Sequence, residues 1–350
     1  MDCNVLFSEL AKMWLERAKI GVSYSYVKSL SSCIKRINHY IGLYPLSEIK
    51  PMMIDDMMFS LAAENPTTHK PSSKKTLSQT ANISYNIFEF AIDRELITLN
   101  PARNAKKRIP QKAPKKVVTA ISMEQYDLVL NVENRLKTGA MIMMFAGLRR
   151  GELIALNWDD IHIDDIYSRK GISVTKRVQT VDTNDFEIVS GTKNGKTRFV
   201  PLPYTIIDYL KKEKLKAQSY LVCPQDNGDL QTPSTWSRYW KTYQADINYY
   251  AYCQKFKKLH PNEEPKSKFN PKGIPQVVEK FNAHQLRHMY ATLLFLSGID
   301  PLTASKLMGH SGVQITLDIY THLEEQYRHI DVSKLDKFLK YDIDKIKHDI

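Results

Sequence analysis

Apolar residues in the first hundred positions recur with the period of a helix. Phe7, Leu10, Ala11, Trp14 and Ala18 share one face, and Val27, Leu30, Ile34, Ile37 and Ile41 repeat the stripe until Gly42 ends it. Pro51, whose fixed φ and missing N–H suit the first position of a helix, opens a third segment that turns Ile54, Met58 and Leu61 inward. A fourth is predicted from about Lys75 to Leu96, with Leu77, Ile83, Ile87, Phe88 and Ala91 as its stripe. The pattern describes a small four-helix module.

The periodicity then stops. Residues 100–118 hold three prolines and seven basic residues, Arg103, Lys106, Lys107, Arg108, Lys112, Lys115 and Lys116, and no acid. Such a segment has too little apolar surface to order itself, so an extended basic linker is expected over 103–118. Uniform positive charge favours contact with a polyanionic backbone, and a merely solvated linker is the plainer alternative.

Patterning resumes at Ser122, an N-cap with Gln125 three residues on. An apolar helix follows from about Asn134 to Ala146, then a break at Gly147 and a short helix from Glu152 to Leu156. Residues 167–203 turn to strand character, with Ile172, Val174 and Val178 alternating and Asn194-Gly195 as the strongest hairpin signal. The remainder is helical, apart from a Lys-, Pro- and Asn-rich stretch at 254–273 that is expected as an exposed loop.

Composition narrows the classes of partner. With 350 residues, two domains with separate cores are the default. Basic residues outnumber acidic ones 50 to 38, giving a net charge of +12 and a pI near 9.3, so the partner is a polyanion, nucleic acid or an anionic membrane surface. The longest apolar run, Met141 to Leu148, falls far short of the ~20 residues a spanning helix needs. No secretory signal is visible at the N-terminus, so a cytosolic protein working at the nucleoid is expected. Cys3, Cys33, Cys223 and Cys253 form no C-x-x-C pair, and no H-E-x-x-H or D-x-D run occurs, so neither a metal nor any other cofactor is expected.

Four segments carry candidate chemistry. In A-G-L-R-R-G-E (146–152), a glycine turn sets Arg149 at the junction of two buried helices with Glu152 three residues on. That pair serves a structural ion pair as readily as an anion grip. Lys193 precedes Asn194-Gly195 in T-K-N-G-K-T-R, where a lysine on a turn can protonate a departing alkoxide or simply remain solvated. His284 and Arg287 in H-Q-L-R-H lie three apart on one helical face, beside the apolar stripe of Leu286, Tyr290, Leu293 and Leu294. His310 follows Gly309 at a helix end, and ten residues later Tyr320 stands in D-I-Y-T-H, one of 19 tyrosines.

The four segments occur in the order and approximate spacing of the tyrosine recombinase, or phage integrase, family, which this chain resembles over nearly its whole length. The run I-F-E-F-A-I-D-R-E-L-I…N-P-A in the preceding module is similar to that family's core-binding domain. Ala146 stands where the family often has Thr, and the interval from His310 to Tyr320 is one residue longer than in many members. No arm-binding module is seen ahead of the core-binding helices.

The resemblance implies a mainly α protein with a small antiparallel β-sheet, arranged as a two-domain C-shaped DNA clamp. Its parts would be a helical, SAM-like core-binding domain at 1–102, the basic linker at 103–118, and a catalytic domain at 119–330. A C-terminal helix at 331–350, striped by Val332, Leu335, Leu339, Ile343 and Ile346, would pack on its own domain or be exchanged between protomers. Arg149 and Arg287 would hold the non-bridging oxygens of the scissile phosphate, with His310 as a further donor and His284 managing the nucleophile's proton. Lys193 would be the general acid, Tyr320 the nucleophile that becomes linked to the 3′-phosphate, and Glu152 a supporting residue. Lys106, Lys107, Arg108, Lys112, Lys115 and Lys116 would touch the DNA backbone.

The implied function is site-specific recombination at double-stranded core sites by a homo-tetramer, integrating or excising a mobile element. An excisionase or a host DNA-bending protein is a conceivable helper, and a membrane is not a partner. A type IB topoisomerase would use similar phosphate chemistry, and a non-catalytic DNA-binding regulator would explain the charge but not six reactive groups in order.

Overall fold

The computed structural model of the chain describes residues 5–110, 119–164, 169–191, 195, 197–269 and 273–326. The chain divides near residue 118 into two compact units, the first also taking in Gln179–Glu187 and Thr232–Thr235.

The first unit is built on four helices, α1 (Phe7–Ala18), α2 (Tyr24–Ile41), α3 (Pro51–Ala63) and α4 (Lys74–Ile92). Local chemistry starts them: Ser23 caps α2, Pro51 occupies the first position of α3, and the Ser73 hydroxyl accepts from the Thr76 amide to cap α4. Phe7, Leu10, Leu30, Ile37, Ile54, Met58, Leu61, Leu77, Ile87 and Phe88 meet in one core and are almost wholly buried. Each such side chain stabilises the unit by about 1.5–3 kcal/mol relative to an exposed one. The periodic stripes therefore mark the core.

The start of the basic tract differs from expectation. Residues 105–108 form a 3-10 turn that packs on α3 and α4, and Ala102 and Ala105 are buried in the core with Ile109 against it. The spacing 102, 105, 109 is itself helical, so this part of the tract finds apolar partners instead of extending. Residues 111–118 lie outside the described residues.

In the second unit α5 (Met123–Asn131) opens with the expected capping box, Ser122 and Gln125 each bonding the other's backbone N–H. All ten residues of α6 (Lys137–Ala146) are buried, which makes it the axis of the unit. Gly147 ends it in the left-handed region at φ +62°, and a Cβ there would lie 2.2 Å from the Tyr290 ring, so both backbone and space demand glycine. The chain then enters α7 (Arg150–Ile154).

Five strands follow among the described residues, β3 and β4 falling partly in the first unit: β1 (Ile161–His162), β2 (Gly171–Val174), β3 (Lys176–Asp182), β4 (Asp185–Ser190) and β5 (Arg198–Pro201). They make a three-stranded antiparallel sheet in the order β1-β2-β5, with Ile161 opposite Ile172 and Ile172 opposite Val200, and a two-stranded β3-β4 sheet. Of the expected Asn194-Gly195 turn, Asn194 lies outside the described residues. The Gly191 amide bonds the Thr175 carbonyl at 2.7 Å where the chain passes from one sheet to the other, and the tight turn sits at 183–184 between β3 and β4.

Helices α8 (Tyr204–Lys216), α9 (Pro233–Leu259), α10 (Ala283–Leu296), α11 (Pro301–Met308) and α12 (Gln314–Gln326) complete the unit. The long α9 absorbs residues 254–259 of the expected loop. Buried α10 lies along α6, and both α11 and α12 pack on α10. Asp300 caps α11, Pro301 starts it, and Gly309 ends it at φ +63°, as the sequence signals predict. The expected helix at 331–350 lies outside the described residues.

Candidate active site

The site forms where the end of α6, the start of α7, β5, α10 and the end of α11 meet. Gly147 turns the chain so that Arg149 stands just before α7, and Glu152, three residues on, reaches back to it. One Glu152 oxygen accepts from the Arg149 backbone amide at 2.9 Å and the other from its Nη1 at 2.8 Å. A second arginine, Arg198 at the head of β5, grips the same carboxylate with Nη2 at 2.7 Å and Nη1 at 3.1 Å. Burial would raise the pKa of the 2% exposed Glu152, but the bonds and charge of Arg198, then of Arg149, outweigh it and hold the carboxyl at about 2. It is ionised at any physiological pH.

The end of α11 draws the arginines together. A helix C-terminus leaves carbonyls without intrahelical donors and carries partial negative charge. Three consecutive carbonyls are taken up: Leu307 by Arg198 Nε at 2.8 Å, Met308 by Arg287 Nη2 and Gly309 by Arg149 Nη2. Arg287, on α10, also donates through Nη1 to the Gly147 carbonyl. It is 1% exposed, and burial followed by the charge of Arg149 pulls it down to about 9, which leaves it cationic at neutral pH.

His310 leaves α11 directly after Gly309, and its Nδ1 lies 2.8 Å from the buried Thr316 hydroxyl. Burial, then the charges of Arg287 and Arg149, lower its pKa to about 3, so it is neutral. When the Thr316 hydroxyl donates to Nδ1, the proton of the neutral ring sits on Nε2, which is then a donor for an anion. His284 is the most exposed of the group, and desolvation followed by Arg287 and Arg149 lowers its pKa too. Its ring meets that of His288 edge-on at 4.9 Å. Burial, then His284 and Arg287, pull His288 down to about 4.

Tyr320 does not join this network. Its hydroxyl donates to the Ile299 carbonyl at 3.1 Å, and its ring packs edge-on against Phe295 with centroids 5.1 Å apart. Burial, then the charge of Asp300, push the phenol up to about 12. Of the six proposed residues, the structure gathers Arg149, Arg287, His310 and His284 and holds Tyr320 at a neighbouring place. Lys193 lies outside the described residues.

Sequence reasoning missed two side chains here. Arg198 was read only as part of T-K-N-G-K-T-R, although a buried Glu152 with two oxygens and one arginine beside it left room for a second cation. Thr316 carried no signal. In the first unit, Lys106, Lys107 and Arg108 occupy the 3-10 turn, and Arg108 pairs with Asp55 at 3.0 Å. Lys106 also lines a groove of about 550 Å³ with Gln79, Asn82, Asn86 and Arg103. Lys112, Lys115 and Lys116 lie outside the described residues.

The sequence profile of the phage integrase family matches residues 115–327, and that of the phage integrase N-terminal SAM-like domain matches residues 6–61. The chain belongs to the phage integrase family, the tyrosine recombinases. It is 28% identical over 314 residues to a XerC-like tyrosine recombinase of Caldanaerobacter subterraneus subsp. tengcongensis, covering 83% of this chain and 73% of that one. It is 24% identical over 343 residues to the ICEBs1 integrase of Bacillus subtilis, covering 96% and 84%. The Tn1549 transposon integrase in complex with a circular intermediate DNA superposes with a TM-score of 0.66 at 15% identity, over 90% of this chain and 95% of that one. The lambda integrase tetramer bound to a Holliday junction gives 0.60 at 17%, over 89% and 79%. These structural likenesses bear on the fold, mainly helical with small antiparallel sheets. As a member of the family, the chain is a tyrosine-type site-specific recombinase.

Proposed function

We propose that this recombinase cuts and rejoins duplex DNA through a covalent link between Tyr320 and a 3′-phosphate, and that it integrates or excises a mobile element as a homo-tetramer on core sites. The observation that carries the reading is the convergence of Arg149, Arg287 and neutral His310 on one helix end, all pre-bonded. In the transition state of phosphoryl transfer, negative charge grows on the non-bridging oxygens. Cations and a neutral donor already fixed in place stabilise that charge with little reorganisation.

The steps balance without an external energy source. The Tyr320 oxygen attacks phosphorus as its proton passes toward His284, the bond to the 5′-oxygen breaks, and Lys193 protonates the leaving oxygen. The phosphotyrosine keeps the bond energy of the cut strand, so a 5′-hydroxyl from another strand can displace Tyr320 and reseal the backbone. Before attack, the Tyr320 hydroxyl must release the Ile299 carbonyl. Arg103, Lys106 and Lys107 would add phosphate contacts whose worth falls with salt.

A nicked suicide duplex bearing the element's core site tests the reading. The wild-type chain is expected to accumulate a protein–DNA adduct that resists denaturation, and Tyr320→Phe none. An adduct formed by Tyr320→Phe sinks the assignment.

A further inference from the structure

We infer that Arg198 is a positioning residue for phosphate binding: its hold on Glu152 and on the Leu307 carbonyl sets the aim of Arg149 and the place of His310. The inference rests on the strand-transfer reading above. The Arg198 guanidinium is committed to protein partners. Its side chain is 8% exposed, and each of its three nitrogens already donates to protein: Nε to Leu307 at 2.8 Å, Nη1 and Nη2 to Glu152 at 3.1 and 2.7 Å.

What it holds is the frame of the site. Glu152 is a four-bond hub, each carboxylate oxygen shared between Arg149 and Arg198. Without Arg198 the carboxylate keeps its Arg149 bonds but loses the partner that fixes its own plane, so the Arg149 guanidinium is no longer aimed. On the other side, Arg198 ties the Leu307 carbonyl, one residue before the carbonyl that Arg287 holds and two before the one that Arg149 holds. His310 follows immediately. Gly309 is fitted to this contact, since a Cβ there would lie 2.9 Å from Arg198 Nη1. A lysine supplies the charge but not the planar fork that spans a carboxylate and a carbonyl together.

The test uses the full-length chain and the nicked core-site duplex, with Arg198→Ala, Arg198→Lys, Arg149→Ala and the double substitution of Arg198 and Arg149 by Ala. DNA affinity and melting temperature are measured beside the rate of adduct formation at saturating DNA. Arg198→Ala is expected to form adduct about 100-fold more slowly, the scale of a misplacement near 1 Å. DNA affinity is expected to stay within about twofold of wild type. Arg198→Lys should recover little of the rate. The double variant should lose less than the product of the two single losses, because the part of the Arg198 effect that runs through Arg149 is already gone.

A wild-type rate for Arg198→Ala, or losses that multiply in the double variant, overturns the inference. A general weakening of the fold would lower affinity and multiply the losses as well. Should Arg198→Ala fail to fold, the same cycle with Arg198→Lys decides between the two outcomes. A wild-type chain that forms no adduct overturns the strand-transfer reading, and this inference with it, and is told apart by the behaviour of the unsubstituted protein.

Discussion

Two neighbouring regions of the second unit are built to opposite specifications. Around the end of α11, Arg149, Arg198, Arg287 and Glu152 are cross-bonded, largely buried and fixed from several sides at once. On α12, Tyr320 is also buried, 6% exposed, but its hydroxyl bonds a backbone carbonyl, that of Ile299, and its ring packs on Phe295, with no charged partner bonded to it among the described residues. The roles proposed for them account for the difference. Charge stabilisation works best when its groups are immobile before the reaction. A nucleophile that could cut DNA at any time is a hazard, and a phenol held near a pKa of about 12 by burial and Asp300 is a poor nucleophile until it moves.

If the arginine cluster is the rigid partner, its counter-charge should be costly to remove. Glu152→Gln leaves buried guanidiniums facing a neutral amide, and a loss of about 3–5 kcal/mol in unfolding free energy is expected from chemical denaturation. A loss under about 1 kcal/mol would mean that water or neighbours already neutralise the arginines.

Acid should take the same cluster apart. Glu152 has a folded pKa near 2 against a usual 4.5, so its contribution is complete above about pH 4.5 and is lost as pH falls toward 2. His310 and His288, lowered from 6.5 to about 3 and about 4, stay neutral in the folded protein while the unfolded chain protonates. Their share of the stability therefore declines first, below pH 6.5. Melting temperature against pH should show both limbs, and Glu152→Gln should flatten only the lower one.

Loosening the other region is the gentler perturbation. Phe295→Leu removes an aromatic pair worth about 0.5–1.5 kcal/mol, which shifts the exposure of Tyr320 by up to about tenfold. Adduct formation on the nicked duplex should quicken by a factor in that range, with thermal stability little changed. A slower reaction would show that Phe295 guides Tyr320 toward the phosphate and does not store it.

The same contrast explains what was legible in the sequence. Helix stripes, the Ser122 box and the glycine stops at 147 and 309 are local signals, and each of these elements stands where its pattern places it. The helical spacing that packs 102, 105 and 109 onto α3 and α4 was also present, but the density of Lys and Arg around it concealed it. Arg198 was out of reach because its partner Glu152 lies 46 residues away and only the crossing between sheets brings them together. The resting place of Tyr320 was equally hidden, since a sequence motif names a nucleophile without saying which way its side chain points.

The most direct measurement places a fluorinated tyrosine at position 320 and follows its resonance with and without core-site DNA, using a nicked duplex so that capture is seen in the same sample. The account predicts a buried, protonated phenol in the free protein, its pKa raised above that of the free fluorotyrosine, and a shifted resonance on DNA before the adduct appears. An adduct that forms while the free and DNA-bound resonances and pKa coincide would contradict it, because the nucleophile would then have been in place from the start.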